Sequence, residues 1–301
     1  MPTEPVLFLV FNRPDTTARV FAAIREARPE RLYVAADGPR KDRAGETELC
    51  SETRRIATAV DWPCEVKTLF RDENLGCGKA VSGAISWFFE NEPEGIILED
   101  DCLPHPDFFP YCGELLRKYR DDTRVMFIGG TNYQDGVKRG DASYYFSNYS
   151  HVWGWATWRR AWQRNDFSFS GMSGAEFSGL LKERFAASPE RAYWKWIYNK
   201  LRAGKIDTWD YQWQFSVWRA GGFSVIPNVN LVSNIGATGT HTGTGDDPNI
   251  NVPVAPILPL SHPSRTYQDT DADVYFYEHR LKPGRKGLLG RILAKVRALN
   301  G

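Results

Sequence analysis

The chain has 301 residues, of which 42% are hydrophobic and 25% are charged, and its formal net charge is +1. These values are typical of a globular α/β protein with one large or two small domains, and they exclude a nucleic-acid binder that relies on a basic face. The N-terminus carries no basic leader and only a short apolar run, Val6 to Phe11, and the five cysteines form no C-x-x-C pair. We therefore expect a cytoplasmic protein with reduced thiols.

Strand and helix patterns alternate through the first 130 residues. Continuous apolar runs indicate buried strands, and apolar residues at helical spacing indicate the helices that cover them. Strands are predicted at Pro5–Phe11, Arg31–Ala36, Glu65–Phe70, Gly95–Leu98 and Arg124–Ile128. The first helix is predicted to follow a cap at Asp15 or Thr16. A second helix would have Leu49, Ile56 and Val60 on one face, and two more are predicted at Lys79–Glu90 and Asp107–Tyr119. This pattern predicts an α/β fold, a Rossmann-like and mainly parallel sheet with helices on both faces.

Polar clusters follow four of the predicted strands. They are Asn12-Arg13, Asp37-Gly38, Arg71 to Asn74 and Glu99 to Asp101. Ligands of parallel sheets bind at the carboxyl ends of the strands, so we expect these clusters to surround one crevice. Asp37-Gly38 alone is typical of an ordinary turn and Arg13 alone of a solvated charge, and the prediction depends on the shared position of the four clusters.

The acidic residues Glu99, Asp100 and Asp101 come directly after a buried-looking strand. Adjacent like charges repel, and a buried charge without a partner is costly. Hard divalent cations such as Mn²⁺ and Mg²⁺ bind carboxylate oxygens and bridge to phosphate. The trio therefore predicts a metal-held nucleotide diphosphate, and the alternative is an exposed acidic turn at the start of the next helix.

The second half of the chain is rich in tryptophan, with nine of the 11 tryptophans between Trp153 and Trp218. Buried core is the favoured interpretation, and a carbohydrate-binding aromatic wall is the alternative. From Gly236 to Pro263 the composition indicates a long loop, which we expect to act as a lid. His241 in this loop is a candidate metal or diphosphate ligand, although the sequence favours a solvated loop histidine.

The C-terminal segment from Arg280 to Arg297 contains seven basic residues and no acid. Leucine, isoleucine and valine recur at helical spacing within it, which predicts a basic amphipathic helix. Such a helix either contacts an anionic membrane surface or docks on its own domain. The sequence leaves both open.

Several of these segments resemble the GT-A nucleotide-sugar glycosyltransferases, in particular the N-acetylglucosaminyltransferase I type and related bacterial sugar transferases. The resemblance is carried by Phe11-Asn-Arg-Pro14, Ala36-Asp-Gly38, Arg71-Asp-Glu-Asn-Leu-Gly76 and Leu98-Glu-Asp-Asp-Cys-Leu-Pro-His-Pro-Asp-Phe-Phe109. The last segment resembles the D-x-D motif of that family and its following helix. Gly154-Trp-Ala-Thr-Trp158 and Trp209-Asp210 fall where the family places acceptor-side and catalytic residues.

The resemblance implies a role for each matching residue. Arg13 and Asp37 would contact the nucleotide, Asp37 at its base, and Arg71 and Asn74 belong to the same candidate set. Glu99 and Asp100 would lie near the ribose and the sugar, and Asp101 would bind Mn²⁺ or Mg²⁺. Asp210 resembles the catalytic base of this inverting family. The family has two carboxylates there, whereas Tyr211 and Gln212 follow Asp210 in this chain, and Asp207 is the reserve candidate.

The expected protein is thus an inverting, metal-dependent glycosyltransferase with one GT-A domain over residues 1–278 and a tail at 279–301. Residues 1–130 would form the nucleotide-binding half, 131–245 the acceptor half, and 246–278 an irregular extension. The donor would be a UDP-sugar and the acceptor a saccharide or a lipid-linked saccharide.

Two alternatives remain from the sequence. A sugar-phosphate nucleotidyltransferase would need a glycine-rich loop after the first strand, where this chain has Asn12-Arg-Pro-Asp15. A non-catalytic carbohydrate-binding protein would use the tryptophans alone.

Overall fold

Three βα units followed by a fourth strand form the N-terminal part of the chain. They belong to a computed structural model that describes residues 3–236 and 249–282. The strands are β1 (Val6–Val10), β2 (Arg31–Ala36), β3 (Glu65–Phe70) and β4 (Glu94–Glu99), and the helices are α1 (Pro14–Ala27), α2 (Glu46–Ala57) and α3 (Cys77–Asn91). The predicted βα alternation is confirmed, with strand ends shifted by one residue at most.

Shorter strands and a group of helices follow. They are β5 (Cys102–Pro104), α4 (Phe108–Lys118), β6 (Val125–Gly129), β7 (Tyr144–Ser147), β8 (Trp155–Trp158), α5 (Arg159–Trp162), α6 (Gly174–Arg184), α7 (Ser188–Arg202), α8 (Asp210–Arg219), β9 (Phe223–Pro227), β10 (Val232–Asn234) and α9 (Thr270–Phe276), with a π-helical turn at Tyr277–Leu281.

Within the described residues, the main sheet has the strand order β3-β2-β1-β4-β8-β6-β9-β7. Strands β1 to β4 are parallel to one another, β6 is parallel to β9, and β8 and β7 run antiparallel to their neighbours. The fold is therefore a Rossmann-like α/β fold with a mainly parallel sheet, as predicted. Since β1 to β4 share one direction, their carboxyl ends lie at the same edge.

Strand β1 shows how the core is divided. Its residues alternate between two apolar layers, with Phe8 packed in one and Leu7 in the other, as the two-residue period of a strand requires. The first layer contains side chains of α1 and α4, and the second contains side chains of α3 and α8. Helices therefore cover both faces of the sheet, so the central strand β1 is apolar and buried throughout, whereas the edge strand β3 is partly polar and largely exposed.

The tryptophans are mostly core. Seven of the nine between Trp153 and Trp218 are buried, and Trp155 contacts the rings of Trp162, Trp209 and Trp213. The core interpretation is confirmed for these seven: four pack in the layer that contains α3 and α8, Trp158 packs in the other layer, and Trp194 and Trp218 belong to a third cluster that contains side chains of α6 and α7. Trp153 is half-buried and Trp196 is exposed.

Two helix details differ from the prediction. Helix α1 begins at Pro14 without a side-chain cap at Asp15 or Thr16, because the ring of Pro14 already holds a helical φ at its first position. The face of α2 that packs inward consists of Glu46, Cys50, Thr53 and Ala57, whereas Leu49 is 45% exposed. The buried Glu46 is paired with Arg40, which offsets the cost of burying its charge.

The described part of the predicted loop is fastened to the domain. The amides of Ile257 and Leu258 donate to Oδ2 of Asp107, and the amide of Ala255 donates to the carbonyl of Asn230. Residues 237–248, including His241, and the tail from 283 onward lie outside the described residues. No helix of the described part has the length and apolarity needed to cross a membrane.

Candidate functional site

A cavity of about 390 Å³ lies at the carboxyl ends of β1, β2, β3 and β4. Six of the predicted site residues line it, namely Arg13, Asp37, Arg71, Asn74, Glu99 and Asp100. The expectation that the strand-end clusters surround one crevice is therefore confirmed. Asp101 and Asp210 lie beside this cavity without lining it, and the placement of His241 is outside the described residues.

One side of the cavity is apolar. Leu9, Ala35, Val81 and Ala84 come from β1, β2 and α3 and leave a narrow slot because two of them are alanines. Such a slot accepts a flat ring between a sheet and a helix. The opposite side carries the charged side chains, so the cavity joins an apolar region to a polar one.

Arg13 is the cation that meets the acidic trio in this structure. Its Nη2 lies 2.5 Å from Oδ1 of Asp100, and its Nη1 lies 2.8 Å from Oδ2 of Asp101. Burial opposes the charge of Arg13, but the two carboxylates outweigh burial and raise the pKa of its guanidinium. The sequence assigned a metal ion to these carboxylates, whereas the structure shows that an arginine already neutralises part of their charge.

Glu99 is the member of the acidic trio that Arg13 does not bond. No described side chain donates a hydrogen bond to its carboxylate. Burial, together with the charges of Asp101 and Asp100, raises the pKa of Glu99 well above its usual range. A cationic or hydrogen-bond-donating ligand at this position would stabilise the ionised form.

Asp37 holds the wall of the cavity. Its carboxylate accepts hydrogen bonds from the backbone amides of Leu75, at 3.0 Å, and Gly76, at 3.2 Å. Nδ2 of Asn74 donates to the carbonyl of Gly38 at 2.8 Å. These bonds tie the end of β2 to the loop between β3 and α3, so both predicted residues fix the shape of the cavity.

The guanidinium group of Arg71 is available to bind a ligand. Its backbone carbonyl accepts a hydrogen bond from Arg54 at 2.6 Å, which fixes the main chain. Among the described residues, its side chain has no hydrogen-bond or ion-pair partner. An arginine in this state is suited to a phosphate or a carboxylate of a ligand.

Arg40 also lines the cavity and was missed by the sequence analysis. It pairs with the buried Glu46 and lies over the ring of Phe11. The only signal in the sequence was its position, two residues beyond the Asp37-Gly38 cluster.

Asp210 and Asp207 occupy different positions. Asp210 is the first residue of α8 and accepts a hydrogen bond from the hydroxyl of Thr208. Its charge contributes, after burial, to the raised pKa values of Glu99 and Cys77, which places it within electrostatic range of the cavity. Oδ1 of Asp207 instead accepts the amide of Gly78 at 3.0 Å, in the first turn of α3. The reserve candidate thus lines the cavity, unlike Asp210, and is engaged with a helix N-terminus, where a negative charge is stabilising.

The donor set limits how a metal ion could be held. In the described part of the chain, no three His, Cys, Asp or Glu side chains converge closely enough to form a metal site. Asp101 has one oxygen turned to Arg13, and its Oδ1 has only the weak thiol donor of Cys102. These residues fit an ion that takes one or two carboxylate oxygens from the protein and the rest from phosphate and water.

Comparisons with known proteins give a likeness of fold only. No protein-family model matches the chain, and no curated protein sequence matches it. Similar solved structures include HddC from Yersinia pseudotuberculosis, with 11% identity over 52% of this chain and 77% of that chain at a TM-score of 0.32. The inositol-1-phosphate CTP transferase from T. maritima has 11% identity over 75% of this chain and 86% of that chain at a TM-score of 0.39. A UDP-glucose pyrophosphorylase complexed with UDP-glucose has 13% identity over 48% of this chain and 62% of that chain at a TM-score of 0.28.

Proposed function

We propose that the chain is an inverting glycosyltransferase that moves a sugar from a nucleotide-diphosphate sugar, a UDP-sugar, to a saccharide or lipid-linked saccharide. The observation that supports this best is the cavity at the strand ends, because it combines an apolar slot with the guanidinium of Arg71 and the carboxylates of Glu99 and Asp100. A nucleotide sugar has the same sequence of parts, a flat base, an anionic diphosphate and a hydroxyl-rich ring.

Each charged residue then has a defined task. Arg71 would bind the diphosphate, since it has no partner among the described residues. Arg13 would keep Asp100 and Asp101 in place, and Asp101 would hold Mn²⁺ or Mg²⁺ together with phosphate oxygens. A bound divalent ion would stabilise the negative charge that develops on the leaving diphosphate. Glu99 would accept hydrogen bonds from hydroxyl groups of the donor.

Asp210 would act as the general base. The acceptor hydroxyl gives its proton to the carboxylate of Asp210 while its oxygen attacks the anomeric carbon, and the bond from that carbon to the diphosphate oxygen breaks. Attack opposite the leaving group inverts the anomeric configuration. The hydroxyl of Thr208 orients the carboxylate through its hydrogen bond.

Thermal unfolding with and without ligands tests this function. UDP-glucose or UDP-N-acetylglucosamine with MnCl2 should raise the melting temperature by about 5 °C at saturating concentration. Asp101→Ala and Asp101→Asn should both lose the part of the shift that depends on Mn²⁺. Asp121→Ala is the matched control, because Asp121 is exposed and outside the cavity. An undiminished Mn²⁺-dependent shift in both Asp101 variants would contradict the assigned role.

Sugar-phosphate nucleotidyl transfer is the second candidate. The names of the CTP transferase and the pyrophosphorylase fit this chemistry better than they fit glycosyl transfer, although likeness at these scores extends to the fold alone. Against it, the turn after β1 is Phe11-Asn12-Arg13, where a triphosphate-binding loop would need glycine. Pyrophosphate release from UTP or CTP with glucose 1-phosphate, without sugar transfer from UDP-sugars, would favour this candidate.

A further inference from the structure

Trp196 is unusual among the aromatic residues. It is the most exposed tryptophan of the described residues, with 53% of its surface accessible, and it lies on α7. The opposite face of α7 is anchored in the core by Trp194, Ile197 and Tyr198. Lys200 extends over the Trp196 ring, its Nζ 5.5 Å from the centroid, and this cation–π contact orients the ring. An exposed tryptophan alone needs no explanation, so the argument depends on what the ring is connected to.

A continuous aromatic row connects Trp196 to the candidate base. The ring of Tyr193 lies 6.4 Å from that of Trp196, centroid to centroid, and is tilted by 35°. The ring of Tyr193 in turn contacts that of Trp194, at 5.0 Å between centroids, and Trp194 contacts the ring of Tyr211 at 6.0 Å; Tyr211 follows Asp210 in α8. Burial raises the pKa of both tyrosines and the charge of Asp210 adds to it, so the inner end of the row lies within electrostatic range of Asp210.

We propose that Trp196 and Tyr193 form a stacking platform for the acceptor, a saccharide chain that lies along α7 and presents one hydroxyl to Asp210. This inference rests on the proposed function. Aromatic faces pack against the C–H faces of sugar rings, and an oriented tryptophan supplies that face with little loss of side-chain entropy. Of the tryptophans that the sequence analysis considered for carbohydrate binding, the proposal keeps only Trp196, which is not part of the core.

The direction of the row argues for a saccharide over a lipid bilayer. Trp196 with Lys195 and Lys200 has the composition of a bilayer contact. A bilayer, however, contacts a flat outer surface, whereas Tyr193 and Tyr211 are half-buried and lie between the exposed Trp196 and Asp210. A chain of sugar rings can follow such a path from the surface to the base.

Two measurements on the full chain test the platform. The first is transfer from UDP-glucose and UDP-N-acetylglucosamine to maltotriose, cellotriose and chitotriose. Trp196→Ala should raise KM for the trisaccharide about fivefold to tenfold with kcat within about twofold, and Trp196→Phe should restore most of the affinity. Tyr267→Ala is the control, because Tyr267 is 66% exposed and the proposal gives it no role.

The second measurement is ¹⁹F NMR of 5-fluorotryptophan-labelled protein without nucleotide, with the Trp196 signal assigned by its absence in Trp196→Phe. The trisaccharides should shift that signal, and phosphatidylglycerol vesicles should not. A shift with vesicles alone, or no shift with any trisaccharide, overturns the platform. An unchanged KM in Trp196→Ala overturns it while the proposed function stands. A saccharide-dependent shift without turnover of any UDP-sugar supports the platform and contradicts the proposed function.

Discussion

No described side chain forms an ion pair or a hydrogen bond with the carboxyl group of Glu99, because Arg13 pairs with Asp100 and Asp101 instead. The pKa of Glu99 is higher in the folded chain than in the unfolded chain, so folding favours the protonated form. The stability that this group contributes is therefore present at acidic pH and is lost as the pH rises through the folded pKa. Residues with such strained electrostatics are characteristic of sites whose ligand completes them.

Glu99→Gln should consequently stabilise the protein at neutral and alkaline pH. The amide has nearly the shape of the carboxylate but carries no charge, so we expect a gain of at least about 1 kcal/mol at pH 8 that vanishes near about pH 4. Transfer activity should fall, since the ligand loses an acceptor. Urea unfolding across this pH range measures the gain, and the exposed Glu48→Gln is the control. Equal stability of Glu99→Gln and wild type at pH 8 would disprove the electrostatic argument.

At the scale of elements, the contact between the end of β2 and the loop before α3 shapes the cavity. A Cβ atom on Gly38 would lie 2.4 Å from the carbonyl carbon of Glu73, too close for any real contact. The hydrogen bonds of Asp37 and Asn74 depend on this approach. The glycine is therefore required by the backbone of the neighbouring loop and by no ligand.

Gly38→Ala should separate the two segments and destabilise the protein by about 1–3 kcal/mol. Gly179→Ala is a sharp control, because Gly179 lies inside α6 with open space around its Cβ position, and alanine there should stabilise the helix by about 0.5–1 kcal/mol. Thermal unfolding of both variants would show opposite shifts. A loss of stability in Gly179→Ala equal to that in Gly38→Ala would refute this explanation.

Some parts of the site could be predicted from the sequence and others could not. Strands β1 to β4 and the polar residues at their ends could be predicted because apolar runs and their ends are local in the sequence. The pairing of Arg13 with Asp100 and Asp101 could not, because it joins residues 87 and 88 positions apart. The bond from Gly78 to Asp207 spans 129 positions. Acidic residues can be identified in a sequence, but which positively charged side chain pairs with them depends on the tertiary structure.

At the scale of the whole molecule, residues 249–263 form a segment without helix or strand, here called the strap, that is bonded to the rest of the domain. It is held by Asp107, whose Oδ2 accepts the amides of Ile257 and Leu258 at 2.8 and 3.2 Å. Ser261 adds reciprocal bonds with Ser143.

Asp107→Ala should release the strap, since it removes the acceptor of two backbone amides. We expect a loss of about 1–3 kcal/mol and faster amide hydrogen exchange at residues 255–261, with exchange in β1 to β4 unchanged. Asp141→Ala is the control, because Asp141 is exposed and makes no side-chain bond among the described residues. Slow exchange retained in the strap of Asp107→Ala would show that other contacts hold it.

Strand β1 is paired on both sides and packed on both faces, and Phe11 to Arg13 continue directly from it. Segments of this kind open only when the entire chain unfolds. Arg13, which pairs with Asp100 and Asp101, should therefore move as rarely as strand β1. Helices α7 and α8 are not continuous with that strand. If the proposed function is correct, ligand-dependent motion should be confined to α7 and α8, while β1 and the residues that follow it stay in place.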